Sequence, residues 1–162
     1  MTEDSMANVK SRGHQNKRYW PHNSWGTERL YYASHGQYNK GRTKLAGILK
    51  YINVALFRCY IDYQALIGER LDLPHGGFGL VVGSEVTIGD DAIIFHAVTI
   101  GSARPGPVVI GDRVYIGTGA TILGPVTIGN DVTIGANAVV TFDVPDGMTV
   151  VAQKARILDA KS

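Results

Sequence analysis

Aliphatic residues recur every six positions through the second half of the chain: Val82, Ile88, Ile94 and Ile100, then Ile110, Ile116, Ile122, Ile128, Ile134 and Val140. Glycine usually follows, as at Gly83, Gly89, Gly101, Gly111, Gly117, Gly129 and Gly135. The fourth residue on is small: Val86, Ala92, Val98, Val114, Ala120, Val126, Val132 and Ala138. Neither a helix nor a flat sheet repeats at six; a parallel β-helix does. Each hexapeptide supplies one short strand and a turn, and three make a triangular coil whose aliphatic residues stack coil on coil. The following glycine is expected to ease the corner. The step also runs backwards through Ile67, followed by Gly68, to Ile61, with Leu73 between Ile67 and Val82. That gives thirteen strand positions, a little over four coils. Two intervals are too long, nine residues from Leu73 to Val82 and ten from Ile100 to Ile110, so both should bulge out as loops.

Upstream the period changes. Leu45, Ile48, Leu49, Ile52, Ala55, Leu56, Cys59 and Tyr60 fall at spacings of three and four, which predicts an amphipathic helix over 44–60. Its apolar face is expected to cap the open end of the β-helix. Residues 1–43 read as a basic, flexible arm, whose Trp20, Trp25, Tyr31 and Tyr32 would pack on a partner subunit and whose His14, His22 and His35 are incidental. The β-helix is expected over 61–143. The repeat fades after Val140, and 144–162 reads as a cap for the other end.

Composition narrows the class without changing the fold. With 44% hydrophobic and 19% charged residues the chain is ordinary for a globular domain. Cys59 is its only cysteine, which leaves no intrachain disulfide or cysteine-based zinc site and favours a cytoplasmic setting. The polar start is unlike a signal peptide, and the apolar stretch from Leu45 to Ile61 is broken by Lys50, Asn53 and Arg58, so membrane contact would be peripheral at most. Charge is divided unevenly: residues 1–60 carry ten Lys and Arg against three Asp and Glu, and residues 61–162 carry six against eleven. No nucleic-acid module is recognisable in the basic part, so no nucleic-acid partner is expected.

The chemistry is expected where the repeat breaks. Leu73-Pro-His-Gly-Gly-Phe-Gly79 sets a histidine among residues that let backbone approach closely. His75 lies two residues after Leu73 and His96 two after Ile94, one coil later, so the imidazoles should share a corner, roughly 4.8 Å apart along the axis. The same offset from Ile116 and Ile134 gives Thr118 and Ala136. A long ligand could lie along this column with its reactive end at the histidines.

The run Ile67-Gly-Glu-Arg-Leu-Asp-Leu-Pro-His75, then Gly79-Leu-Val-Val-Gly83, then Ile93-Ile-Phe-His-Ala-Val-Thr-Ile-Gly101 resembles the serine acetyltransferase branch of the hexapeptide-repeat acyltransferases, as do Val144-Pro145 and Ala155-Arg-Ile157. The resemblance covers roughly residues 45–160. The short N-terminal region and the Leu-Pro-His form look most like acetyltransferases of capsule or exopolysaccharide synthesis, of the colanic-acid type. It implies an all-β, left-handed parallel β-helix with a short helical N-terminal segment. It also implies a homotrimer, acetyl-CoA as donor and sites between subunits. His75 matches the catalytic base, which would take the proton from an acceptor hydroxyl as that oxygen attacks the thioester. His96 would bind acceptor or orient His75. Backbone N–H groups at Gly101 and Ser102 would stabilise the oxyanion, Thr118 and Ala136 would line the pantetheine path, and Lys154 and Arg156 would meet its phosphates. Arg104 would touch the acceptor or CoA.

The sequence departs from that pattern in three places. Pro74 stands where serine acetyltransferases have aspartate before the histidine. The loop Ser102-Ala-Arg-Pro-Gly-Pro-Val-Val109 lacks their second histidine, and His96 often corresponds to glutamine. The expected acceptor is therefore a hydroxyl of a sugar or nucleotide-sugar intermediate, with serine as the alternative and a non-catalytic scaffold as the reading of another class. A zinc hydratase on the same scaffold needs three converging histidines where this β-helix has two, so no metal is expected. An ice-binding face needs regularly repeated threonine, which Thr87, Thr99, Thr121, Thr127 and Thr133 do not provide, and no room exists for a nucleotidyltransferase domain.

Overall fold

The computed structural model describes residues 26–102 and 104–154, in which two helices precede a parallel β-helix of about four turns. Three parallel sheets form its sides. The first stacks β1 (Tyr60–Ile61), β3 (Val81–Val82), β6 (Thr99–Ser102), β9 (Thr121–Gly124) and β12 (Val139–Val140) in that order. The second stacks β2 (Leu66–Ile67), β4 (Val86–Ile88), β7 (Val108–Ile110) and β10 (Val126–Ile128). The third stacks β5 (Ile93–Ile94), β8 (Tyr115–Ile116), β11 (Thr133–Ile134) and β13 (Thr149–Val150). The six-residue step is this geometry, since each aliphatic residue pairs with its counterpart one coil on: Ile88 with Ile110, Ile94 with Ile116, Ile100 with Ile122. Leu73 lies beside a bridge between Asp72 and Ile93 that begins the third sheet. Leu73 and Ile94 to Val140 are buried at every step, with the small series from Val86 to Ala138 packed among them.

Glycine plays a different part from the one expected. The residue that turns the corner is the third after the aliphatic one, with φ between 56° and 59° at Arg70, Asp91, Ala97, Arg113, Asp131 and Asn137 and 68° at Gly119. The glycine directly after the aliphatic residue is required by the next coil: a Cβ at Gly117 would stand 2.7 Å from the Ala136 nitrogen. Asp112 Oδ1 accepts from the Asp90 N–H and Asn130 Oδ1 from that of Asp112, at 2.9 and 2.8 Å, so side-chain carbonyl groups climb one edge of the solenoid as a ladder.

Both ends differ from the expectation. The solenoid continues past residue 143, because Val144 bridges to Ile128 and β13 pairs with β11. At the N-terminal end, residues taken for a flexible arm form α1 (Gly26–Asn39), which packs against α2 (Thr43–Phe57). The inward residues of α1 are Thr27, Glu28, Tyr31 and Ser34. Tyr31 does not seek a partner subunit: it is buried, and its hydroxyl donates to the Ala65 carbonyl at 2.7 Å. His35 binds the Tyr63 carbonyl at 2.8 Å and so fastens α1 to the first coil. His14, His22, Trp20 and Trp25 lie outside the described residues.

The predicted helix forms, but with the opposite face inward. Ala46 and Asn53 are buried, whereas Leu45, Ile48, Ile52 and Leu56 are 40%, 56%, 38% and 68% exposed and Tyr51 is exposed beside them. The open end of the coil is closed instead by Tyr31, Cys59 and Phe57. An ion pair of Lys50 with Asp62, at 3.0 Å, ties α2 to the strand it precedes.

Candidate active site

The first interruption forms a tight turn that presents His75. Pro74 to Gly77 make a kinked 3-10 turn in which His75 (φ 60°, ψ 24°) and Gly76 (φ 69°, ψ 18°) are both left-handed, followed by positive φ at Gly77 and Gly79. A histidine in this region is uncommon and costs free energy that its surroundings must supply. Those surroundings are specific. The Gly76 N–H donates to the Leu73 carbonyl at 2.9 Å, the Gly79 N–H to that of Arg58 at 2.9 Å, and the Thr27 hydroxyl to that of Gly76 at 2.9 Å.

The ring of His75 is exposed, and the half-buried ring of His96 lies beside it with centroids 5.2 Å apart and planes at 83°. The shared corner read from the spacing is therefore real, and adjacent coils supply the pair. Phe95 flanks His75 at 6.2 Å and packs on Tyr115 at 5.3 Å, forming an apolar wall to one side. His96 Nδ1 is buried and meets no hydrogen-bond partner. Thr118 and Ala136 continue the corner upward, half-buried and exposed, and their neighbours lock the column through Gly119 N–H to His96 carbonyl and Asn137 N–H to Thr118 carbonyl contacts of 3.1 and 2.9 Å. Small side chains above two imidazoles leave room for an extended chain.

The remaining candidates are placed elsewhere. Gly101 and Ser102 stand at the far end of β6, separated from the His96 corner by the length of that strand. Gly101 is paired opposite Leu123, and the Ser102 N–H donates to Glu85 Oε1 at 2.5 Å while its hydroxyl donates to the Gly106 carbonyl. The Ser102 N–H is thus engaged by a carboxylate, a contact without any mark in the repeat. Arg104 is exposed in the extruded loop and Lys154 is exposed at the last described position; Arg156 lies outside the described residues.

Sequence reasoning also missed the polar layer behind the His75 turn. Glu28 is 6% exposed and its Oε2 meets no partner, as is true of Asn53 Oδ1 on the neighbouring helix. Burial pushes the Glu28 carboxyl up to about 7, with Asp72 adding to the rise, while the backbone N–H groups of Glu28 itself and of Leu73 oppose it. Cys59 is pushed up to about 12 by burial and by Glu28, so it remains a thiol and packs as an apolar group.

Comparison with known proteins finds similarity to transferases. Residues 107–141 match the bacterial transferase hexapeptide (six repeats) family. The chain is 44% identical over 99 residues to a serine acetyltransferase of Helicobacter pylori, covering 58% of this chain and 57% of the relative. It is 41% identical over 106 residues to the putative colanic acid biosynthesis acetyltransferase WcaB of Escherichia coli, covering 61% and 65%. Among solved structures, serine acetyltransferase from Brucella abortus in complex with coenzyme A superposes with a TM-score of 0.73 at 33% identity, over 83% of this chain and 55% of that one. The chain thus spans less than two thirds of each of these relatives.

Proposed function

We propose, from the likeness of this chain to the hexapeptide-repeat serine acetyltransferases, that it belongs to their family and transfers an acetyl group from acetyl-CoA to a hydroxyl acceptor with His75 as general base. The observation that carries the reading is the exposed His75 imidazole on its left-handed turn, with His96 beside it and a column of small residues above. His75 takes the acceptor's proton as its oxygen attacks the thioester carbonyl; collapse of the tetrahedral intermediate expels the CoA thiolate, which recovers a proton from the imidazolium. The pantetheine arm passes Thr118 and Ala136, Lys154 and Arg156 serve its phosphates, and Arg104 reaches the acceptor from the loop. The Gly101 and Ser102 backbone, the oxyanion donors of this reading, is engaged in this chain, Gly101 by its pairing opposite Leu123 and the Ser102 N–H by Glu85, so the pair serves across a subunit boundary only once that carboxylate is displaced. His96, whose buried Nδ1 is left without a hydrogen-bond partner, orients His75 or receives the acceptor.

Serine is the acceptor favoured by the names of most relatives. A sugar hydroxyl is the second reading, and a specific observation favours it: Pro74 removes the carboxylate beside His75, so no acid at that position can meet an amino group. A thiol-release assay with acetyl-CoA separates the two. Turnover with L-serine supports the first, and turnover with nucleotide sugars but not serine supports the second. No release with any acceptor would leave a scaffold.

The same reading includes a homotrimer. The outward stripe of α2 is too apolar to face water in a finished assembly. Around it, residues 26–60 expose Arg29, Lys40, Arg42, Lys44 and Arg58 and no carboxylate, whereas the β-helix is rich in acids. A second copy of this chain, which offers an acidic body to a basic helix pair, suits both features. Replacing Ile48 and Leu56 together with asparagine should dissociate the oligomer in sedimentation without unfolding it, since both side chains are exposed. A wild-type monomer, or a variant that stays associated, would refute this assembly.

A further inference from the structure

The His75 turn is held in part from outside. Four of the five residues from His75 to Gly79 have positive φ, and the Gly76 N–H to Leu73 carbonyl and Leu80 N–H to Gly77 carbonyl bonds, both at 2.9 Å, brace the turn locally. What fixes the peptide following the imidazole comes from 49 residues earlier in the chain. Thr27, fully buried in the first turn of α1, donates its hydroxyl to the Gly76 carbonyl. Thr27 is itself fixed, because Asn53 Nδ2 of α2 donates to the Thr27 carbonyl at 3.1 Å. Beside it Cys59 and Leu73 close on Gly77, where a Cβ would come within 3.4 and 3.1 Å of them. A relay of two buried hydrogen bonds therefore runs from α2 through α1 to the residue after His75.

We propose that Thr27 is a positioning residue for His75, its hydroxyl holding the left-handed turn in the conformation that presents the imidazole. This rests on the assignment of His75 as the base. The hydroxyl is required for a physical reason: the Gly76 carbonyl is buried, and without a donor it is satisfied only if the turn opens toward water. Opening swings the imidazole away from the corner it shares with His96. Binding of CoA along Thr118 and Ala136 does not depend on that swing, so the loss falls on the chemical step.

The test compares Thr27→Val, which keeps the shape and removes the hydroxyl, with Thr27→Ser, which keeps the hydroxyl. In the full chain, Thr27→Val should lower kcat about tenfold with KM for acetyl-CoA unchanged, and should broaden or double the His75 imidazole signals in NMR spectra. Thr27→Ser should restore both. Unchanged kcat and His75 signals in Thr27→Val overturn the proposal. So does a loss that serine fails to restore, since that places the effect in the methyl group's packing. Full activity of a His75 variant would instead strike at the assignment of the base, independently of either Thr27 variant.

Discussion

Replacing His75 with asparagine should lower kcat by about 10² to 10⁴, the usual contribution of a positioned general base, with little change in thermal stability. Asparagine is the better probe than alanine at this position. His75 sits at φ 60°, a region that asparagine tolerates and alanine resists, so the asparagine variant keeps the turn while removing the basic nitrogen. The side chain is exposed, so its loss opens no cavity. KM for acetyl-CoA should stay within a few fold, because the donor's path lies along the corners above. Steady-state kinetics on the purified full chain, with the acceptor found by the thiol-release assay, decide the matter. Activity within a few fold of wild type would remove His75 from the base's role and pass the candidacy to His96, whose Nδ1 is the buried nitrogen without a partner.

The repeat was legible because its cause is local. Ile94, Ile116 and Ile134 must stack, and stacking at one residue per strand leaves a trace that no other fold imitates. Counting along it placed His75 beside His96 through a nine-residue interruption, since a loop extruded from a solenoid returns to the same register. Other features were hidden for reasons equally physical. Periodicity in α2 reveals that Leu45, Ile48, Ile52 and Leu56 share a face, yet it is silent on whether that face turns toward this chain or another. Helix α1 was missed because its inward residues, Thr27, Glu28 and Ser34, are polar and are held by hydrogen bonds rather than by apolar burial. The glycine after each aliphatic residue was legible as a position but misread in purpose, because crowding by the next coil and freedom of φ select the same residue. Contacts such as Glu85 with Ser102 depend on where two loops meet in space and leave no periodic mark.

Stability should fall as pH rises from about 4.5 to about 7, and Glu28→Gln should abolish that fall. The Glu28 carboxyl is raised from 4.5 to about 7 in the folded chain, mainly because burial penalises its charge. Within that window the folded state holds a proton that the unfolded state has released, so each step up in pH favours unfolding. Below 4.5 both states are protonated and the stabilisation is whole; above 7 both are ionised and it is lost. A shift of this size corresponds to roughly 3 kcal/mol, a large fraction of the stability of a domain this small. The groups that act on the carboxyl offer no cation: Asp72 adds repulsion, the Cys59 thiol stays neutral, and the N–H groups of Glu28 and Leu73 give only partial compensation. Glutamine fits the same space and never ionises. Urea midpoints at pH 5, 6, 7 and 8 for both proteins isolate the effect, since every other titrating group is common to them. The wild type should lose ground to the variant steadily across the series. Parallel profiles would mean that Glu28 keeps an ordinary carboxylate pKa in the folded chain. Because the carboxyl lies against Leu73, two residues before His75, the same ionisation should loosen the turn that presents the base, and amide exchange at Gly76 and Gly77 should quicken between pH 6 and 8 in the wild type more than the intrinsic rate predicts, but not in Glu28→Gln.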